Sequence, residues 1–204
     1  MTDDAAAARY AAHEQYFCEE AWALVAPGFT TLDDVLEVMI ELVEYDDDNP
    51  MTAARAEQIV RHYWAHRQAE LDAPGPGTPS DDERVTAAFA AIEAQGIVAE
   101  MNAGYTTDEA FAECESVVAA TGSGPGFVFF HGQDAARLAY PGATLYIGYG
   151  AVVAPGPGWV EVAETVANAA VAAFREQGLD VQWDGDVDHR IELRNVVWRK
   201  PLPA

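Results

Sequence analysis

Residues 126–152 read GFVFFHGQDAARLAYPGATLYIGYGAV, and this stretch decides the fold class. Two apolar runs, 127–131 and 144–152, are rich in aromatic and β-branched residues and are predicted to be strands. A short helix is predicted between them, over 135–139. A strand, a helix and a second strand in so short a stretch indicate a sheet that carries helices.

The strand predicted at 144–152 has two unlike faces. Side chains alternate between the faces of a strand, so every second residue points the same way. One face carries large side chains and packs, while the other carries two glycines and stays thin. The packed face holds Leu145, Ile147 and Tyr149, and the thin face holds Tyr146, Gly148 and Gly150.

Downstream of Gly96, short apolar runs alternate with helical patterns along the rest of the chain. Further strands are predicted at 97–101, 181–184 and 191–198, and helices at 107–120 and 159–177. The last two strands form a hairpin through 185–188. We therefore predict an α+β fold with a mixed sheet; a ferredoxin-like sandwich with an additional strand is preferred, and a doubly wound sheet is the alternative.

Upstream of this region the chain is helical. About three helices are predicted: one over 4–26, one opened by the capping box of Thr31 and Asp34, and one that runs from Pro50 to about Leu71. The sequence Ala73-Pro-Gly-Pro-Gly-Thr-Pro-Ser80 cannot sustain a helix or a central strand. The predicted organisation is a helical region at 1–72, a linker at 73–80 and an α/β domain at 81–200, whose first helix is capped by Ser80.

Charge is the strongest guide to function. The 204 residues include 34 Asp and Glu against 11 Lys and Arg, a net charge of -23. Such a surface repels phosphates and anionic membranes, so nucleic acid and membrane partners are not expected. No run of about 18 apolar residues and no secretory signal is present, and we expect a cytoplasmic protein. The sequence does not indicate an oligomeric state.

A basic protein partner agrees with this charge. The acidic run at 44–48, which includes Asp47 and Asp48, and the pair Asp81–Asp82 could form a docking surface whose charge speeds association. The alternative is that both are solvated helix ends. A non-catalytic interaction or regulatory protein is therefore the first hypothesis.

His131 and Asp134 follow the strand of 127–131, at the kind of strand end where α/β sheets place functional side chains. His131 could act as a general base whose tautomer Asp134 sets, with Gln133, Tyr146 and Tyr149 nearby as binding residues. The alternative is structural: Asp134 caps the short helix, and His131 makes a single hydrogen bond. A small-molecule-binding, hydrolytic or transferase-type domain that uses this pair is the second hypothesis.

One further segment resembles a cation site. Asp184, Asp186 and Asp188 alternate as the ligands at the start of a calcium loop do, but His189 stands where that loop needs Gly and Asn195 where it needs Glu. A solvated hairpin turn is the favoured interpretation. No metal or other cofactor is expected.

Several segments of the second half resemble, in order, a bacterial family known only as a domain of unknown function. They are AAFAAIEAQGIVA at 87–99, GFVFFHGQD at 126–134, LYIGYG at 145–150, GLDVQWDG at 178–185, and Arg190–Ile191. The resemblance covers about 80–199 and implies no activity. Members of that family carry a cysteine-rich CxxCG element where this chain has NAGYTTDE at 102–109 and only Cys114 beyond, so no zinc or thiol role follows.

Overall fold

The computed structural model divides the chain into two compact units, residues 1–78 with 200–204, and residues 79–199. The structure describes residues 3–45, 48–73, 80–122, 124, 126–153 and 156–204, without the side chains of 3–6 and 157. Most of the predicted linker, and Asp47, lie outside the described residues. Among the described helices, none has the length and apolar character needed to cross a membrane.

The described residues of the first unit form three helices: α1 (Asp3–Val25), α2 (Leu32–Glu44) and α3 (Ala53–Asp72). Thr31 caps α2 as predicted, since its hydroxyl accepts a hydrogen bond from Asp34 N at 3.2 Å. Pro50 does not start α3; Thr52 does, because its hydroxyl accepts from Arg55 N at 3.2 Å. The core lies between the helices and contains Phe17, Ala21, Val25, Val35, Met39, Met51, Ala56, Ile59 and Val60.

The second unit is an α+β structure around one five-stranded mixed sheet, which confirms the predicted fold class. Its elements are α4 (Asp81–Glu93), β1 (Val98–Met101), α5 (Thr107–Thr121), β2 (Gly126–Phe130), α6 (Gly132–Arg137), β3 (Ala143–Ala151), α7 (Pro157–Glu176), β4 (Asp180–Gln182) and β5 (Ile191–Val196).

The strand order is β1-β2-β3-β5-β4, with β1 and β2 parallel and the other pairs antiparallel. The hairpin of the last two strands is present as predicted. A ferredoxin-like sandwich requires a split βαβ unit. Here β1 and β2, which α5 connects, are direct neighbours, so the ferredoxin-like topology is not confirmed.

Phenylalanine rings from β2 fill the thin face of β3. Phe129 lies opposite Gly148 and Phe127 opposite Gly150. A Cβ added to Gly148 would lie 2.4 Å from the ring of Phe129, and a Cβ added to Gly150 would lie 2.6 Å from the ring of Phe127. Phe111 of α5 packs edge-on against both rings, at 5.1 and 5.3 Å. The glycines therefore leave room for an aromatic layer under α5.

The start of α4 is tied to the segment that follows β5. Ser80 occupies the N-cap position of α4, but its side chain makes no capping hydrogen bond. Asp81 Oδ2 instead accepts from Val197 N at 2.7 Å, and Asp82 Oδ1 accepts from Arg199 N at 3.1 Å. Asp82 is only 6% exposed. The carboxylates of Asp81 and Asp82 thus bind the backbone of the segment that follows β5, and a docking surface that includes them stays a prediction.

Helices cover only part of the sheet face that carries Phe127 and Phe129. On this face α5 packs on β1 and β2, and α6 packs on β3. A row of residues runs across the strands beyond them, from Tyr146 of β3 to Glu192 of β5 and Gln182 of β4. This row forms the floor of the candidate site.

Candidate functional site

His131 and Asp134 form a capping box at the start of α6. His131 is the N-cap residue, and its Nδ1 accepts a hydrogen bond from Asp134 N at 3.3 Å. Asp134 Oδ2 accepts in return from His131 N at 3.5 Å. The sequence predicts that these two residues act together, with helix capping as the structural alternative. The helix begins at Gly132, however, three residues earlier than predicted, so His131 rather than Asp134 is the cap.

The pair is buried, which favours the neutral form of the imidazole. His131 is 3% exposed and Asp134 is 2% exposed. Because Nδ1 accepts from a backbone N–H, the neutral ring carries its proton on Nε2, which lies 3.1 Å from both Asp134 Oδ2 and Thr107 Oγ1. Burial lowers the pKa of His131, and the guanidinium groups of Arg190 and Arg137 lower it further against the opposing effect of Asp134.

Arg190 connects this buried pair to the surface. Its Nη2 donates to Asp134 Oδ2 and, at 2.8 Å, to the carbonyl oxygen of Tyr146. Its guanidinium carbon lies 5.5 Å from the centre of the Tyr146 ring, and that of Arg137 lies 5.3 Å from the same centre. Asp134, Tyr146 and Arg190 therefore hold one another in place, although they come from α6, β3 and the residue before β5.

Arg190 borders an open groove of about 540 Å³. Two ion pairs lie in its wall: Asp184 with His189, at 2.7 Å, and Glu192 with Arg194, also at 2.7 Å. The hydrogen bond to Asp184 raises the pKa of His189. The rest of the lining comes from Tyr146, Gln182, Trp183, Asp188 and Arg190. His131 and Asp134 do not line the groove; they lie behind Arg190.

Trp183 and Tyr149 anchor the loop between β4 and β5. The Tyr149 hydroxyl donates toward His189 O at 2.9 Å and Asp186 O at 3.2 Å. Trp183 Nε1 donates to the Tyr149 oxygen at 3.2 Å. Burial raises the pKa of Tyr149. Tyr149 therefore supports the groove from behind, and of the two predicted tyrosines only Tyr146 lines it.

The three aspartates of the predicted calcium-like segment shape the same loop. Asp184 Oδ1 accepts from Asp186 N, and Asp186 Oδ1 accepts from Asp188 N, each at 3.0 Å. The hydrogen bond from Asp186 N lowers the pKa of Asp184. Within the described residues there is no group of three or more His, Cys, Asp or Glu side chains that could hold a metal ion.

The other predicted residues do not line the groove. Gln133 is exposed on α6, where its backbone N donates to Tyr105 O at 3.2 Å. Asp48 belongs to the first unit, and its backbone oxygen accepts a hydrogen bond from Arg9. Cys114 lies on the buried face of α5, and burial raises the pKa of its thiol to about 12. A thiol with that pKa is not a nucleophile at neutral pH.

Six of the nine residues that line the groove were not predicted from the sequence: Gln182, Trp183, His189, Arg190, Glu192 and Arg194. Arg190 is 56 positions from Asp134 in the chain, and no local motif signals their contact. Trp183 and Arg190 lie within the segments that resemble the family, and this resemblance was the sequence signal that could have identified them.

Comparison with known proteins adds a family but no activity. No curated protein and no solved structure matches the chain. A family model described as a domain of unknown function (DUF6891) matches residues 10–202. This range includes α1 from Tyr10 onward, α2 and α3, as well as the α/β part. The chain therefore belongs to the family of the domain of unknown function DUF6891.

Proposed function

We propose that the second unit binds a small ligand in the groove beside β4 and β5 and does not act on it chemically. The observation that carries this proposal is the position of Arg190, which the buried Asp134 holds by one nitrogen at the wall of an open groove. A cation anchored in this way is ready to receive a ligand without losing side-chain freedom on binding.

The size and lining of the groove support this proposal. Small-molecule sites have volumes of about 300–1,000 Å³ and combine aromatic walls with a few fixed polar groups. This groove has about 540 Å³, with Trp183 and Tyr146 as aromatic walls. Both rings are held: Trp183 by its indole N–H, and Tyr146 by two guanidinium groups.

The geometry argues against acid–base catalysis by His131. A general base must reach the proton it removes within hydrogen-bond distance, directly or through one water. His131 is buried, both of its ring nitrogens already have partners, and Arg190 stands between it and the groove. We therefore assign His131 and Asp134 a positioning role: they fix α6 and the carboxylate that holds Arg190.

Nuclear magnetic resonance of the full-length protein tests the proposal. The indole N–H signal of Trp183, assigned with a Trp183→Phe variant, reports on the groove during titration with a mixture of small polar fragments. We expect fragments to shift this signal and the side-chain signal of Arg190. Fragment-induced shifts confined to other parts of the protein, or no shifts at all, would refute the proposal.

A basic protein partner is a second candidate function, and α2 favours it. Asp33, Glu37, Glu41 and Glu44 follow one another along the exposed face of this helix. None of these four carboxylates takes part in an ion pair with the described residues. Their charge would attract a cationic partner and speed its association.

This second proposal is tested with a lysine-rich peptide as the probe. Neutralising the four acids of α2 to Asn or Gln should weaken peptide binding more than neutralising Glu93, Asp108, Glu115 and Glu176, which changes the net charge equally. Salt should reduce binding of the unaltered protein. Equal losses in the two variants would mean that net charge alone attracts the peptide and that α2 is no docking surface.

A further inference from the structure

The charged groups of the groove fall into two classes. Asp184 pairs with His189 and Glu192 pairs with Arg194, so these four side chains largely satisfy one another. Arg190 and Asp188 are different, because each presents charge to the groove without a partner inside it. The unsatisfied groups determine which ligands the groove can recognise, because a ligand gains most binding free energy where it does not have to break an existing ion pair.

Arg190 retains unused donors. Only its Nη2 is bonded, to Asp134 and to the carbonyl of Tyr146. Its Nε is buried, and neither Nε nor Nη1 has a hydrogen-bond partner within the described residues. Because Nε is buried, Nη1 is the donor left for a ligand, and a guanidinium anchored at Nη2 with Nη1 unused fits a charge-assisted hydrogen bond to a carboxylate.

Asp188 is the complementary group. Its backbone N–H donates to Asp186, but its carboxylate makes no hydrogen bond or ion pair with the described residues. Arg190 and Asp188 line the same groove and yet are not ion-paired with each other. They therefore present separate positive and negative positions. Trp183 and Tyr146 supply aromatic surface, and the Gln182 amide supplies a neutral donor and acceptor.

We propose that the groove binds a zwitterion of the α-amino acid class, with its carboxylate on Arg190, its ammonium on Asp188 and its side chain against Trp183. This inference rests on the proposed ligand-binding function and deepens it. It also explains why cations are gathered here in an acidic protein: Arg190 and Arg194 line the groove, and Arg137 packs on Tyr146. A purely anionic ligand would meet Asp184, Asp188 and Glu192, and a purely cationic one would meet the two arginines.

The same chemistry has two sources, a free amino acid and the two ends of a short peptide. Isothermal titration calorimetry of the full-length protein separates them with L-phenylalanine, a Phe-Gly dipeptide and a Phe-Gly-Gly tripeptide. N-acetyl-L-phenylalanine and L-phenylalaninamide each lack one charge of the zwitterion. Among the amino acid, the dipeptide and the tripeptide, we expect one to bind best. Each blocked derivative should bind about tenfold more weakly than L-phenylalanine, because one charge-assisted hydrogen bond is lost.

Two variants with matched controls test the residues. Asp188→Asn and Arg190→Gln should each weaken binding about tenfold, as the loss of one charged contact does. Arg175→Gln and Glu176→Gln, at the exposed end of α7, make the same charge changes outside the groove and should leave binding unchanged. Asp188 is exposed and its carboxylate has no hydrogen bond or ion pair with the described residues, so Asp188→Asn provides a test even if Arg190→Gln impairs folding.

The outcomes distinguish the two proposals. If neutral fragments shift the Trp183 indole signal but no zwitterion binds, or if the blocked derivatives bind as well as phenylalanine, the zwitterion inference is wrong and the ligand-binding function stands. If Asp188→Asn binds as the unaltered protein does, Asp188 is not the ammonium partner and the inference is again wrong. If neither fragments nor zwitterions affect the groove, both proposals fall.

Discussion

Replacing Gly148 with alanine tests the aromatic layer that supports the sheet beside the groove. The new Cβ would lie 2.4 Å from Phe129 Cζ and 2.7 and 2.9 Å from its two Cε atoms. Carbon atoms normally approach to about 3.5–4.0 Å, so the ring would have to retreat by roughly 1 Å. Phe129 is 0% exposed and packs against Phe111 and Phe127, which leaves it no free space.

The magnitude follows from two opposing effects. Overpacking a close-packed core costs about 1–3 kcal/mol, and the fully buried ring places this site at the upper end. Alanine also restricts the unfolded chain relative to glycine, which returns about 0.4–1 kcal/mol where the native backbone tolerates it. Gly148 does not have a positive φ, so this gain applies. We expect a net decrease of about 2 kcal/mol in the free energy of unfolding.

Urea denaturation followed by circular dichroism measures this change. Gly158→Ala is the matched control, because nothing lies within 4 Å of the added Cβ and the residue is in the first turn of α7. It should not lower stability. A Phe129→Leu substitution should cost less in the Gly148→Ala protein than in the unaltered one, because the smaller side chain relieves the clash. A Gly148→Ala protein as stable as the original would refute the packing argument.

Three further predictions concern single side chains. Asp82→Ala removes the acceptor of Arg199 N at a buried position and should lower the free energy of unfolding by about 1–3 kcal/mol. The control Glu83→Ala, at an exposed position, should not lower it. Equal urea midpoints of the two variants would contradict this prediction. The pKa of His131 is lowered in the folded state, so near and below about pH 6.5 the unfolded chain binds more protons. The contribution of His131 to stability is therefore complete above about pH 6.5 and is lost as the pH falls through the folded-state pKa. In urea titrations, His131→Gln should reduce the dependence of the free energy of unfolding on pH. If the variant and the unaltered protein have the same pH profile, His131 is not the source of this dependence. In a Cys18→Ser protein, the remaining Cys114 should react with a disulfide reagent only after unfolding, because its pKa is raised to about 12 and it is fully buried; rapid labelling of the folded protein would show that the site opens.

Local patterns were sufficient for most elements of this fold. The apolar run of β2, the alternation in β3 and the threonine cap of α2 act through near neighbours in the chain, and each element formed within a few residues of its predicted bounds. Two helices begin at a different residue than predicted, because a neighbouring side chain caps the helix. Thr52 rather than Pro50 begins α3, and His131 caps α6 through its ring nitrogen, an uncommon choice that residue preferences do not favour.

The candidate site was only partly predictable, for a physical reason. The contact of His131 with Asp134 lies within one helical turn, and the sequence was enough to pair them. It was not enough to give them a role, because the role depends on burial and on Arg190, which is 56 positions away and immediately precedes β5. Similarly, Asp81 and Asp82 looked like a solvated helix start, but the chain after β5 returns to bind both of them.

The sequence by itself determined the α+β class, the helical first part, the glycine face of β3 and the excess of negative charge, since these depend on residue type and on spacing of a few positions. Only the tertiary structure decided the strand order, the burial of His131 and Asp134, and the meeting of Tyr146, Trp183, Asp188 and Arg190 in one groove. Those contacts join residues far apart in the chain, and their free energies depend on what the folded protein excludes from water, which no local pattern encodes.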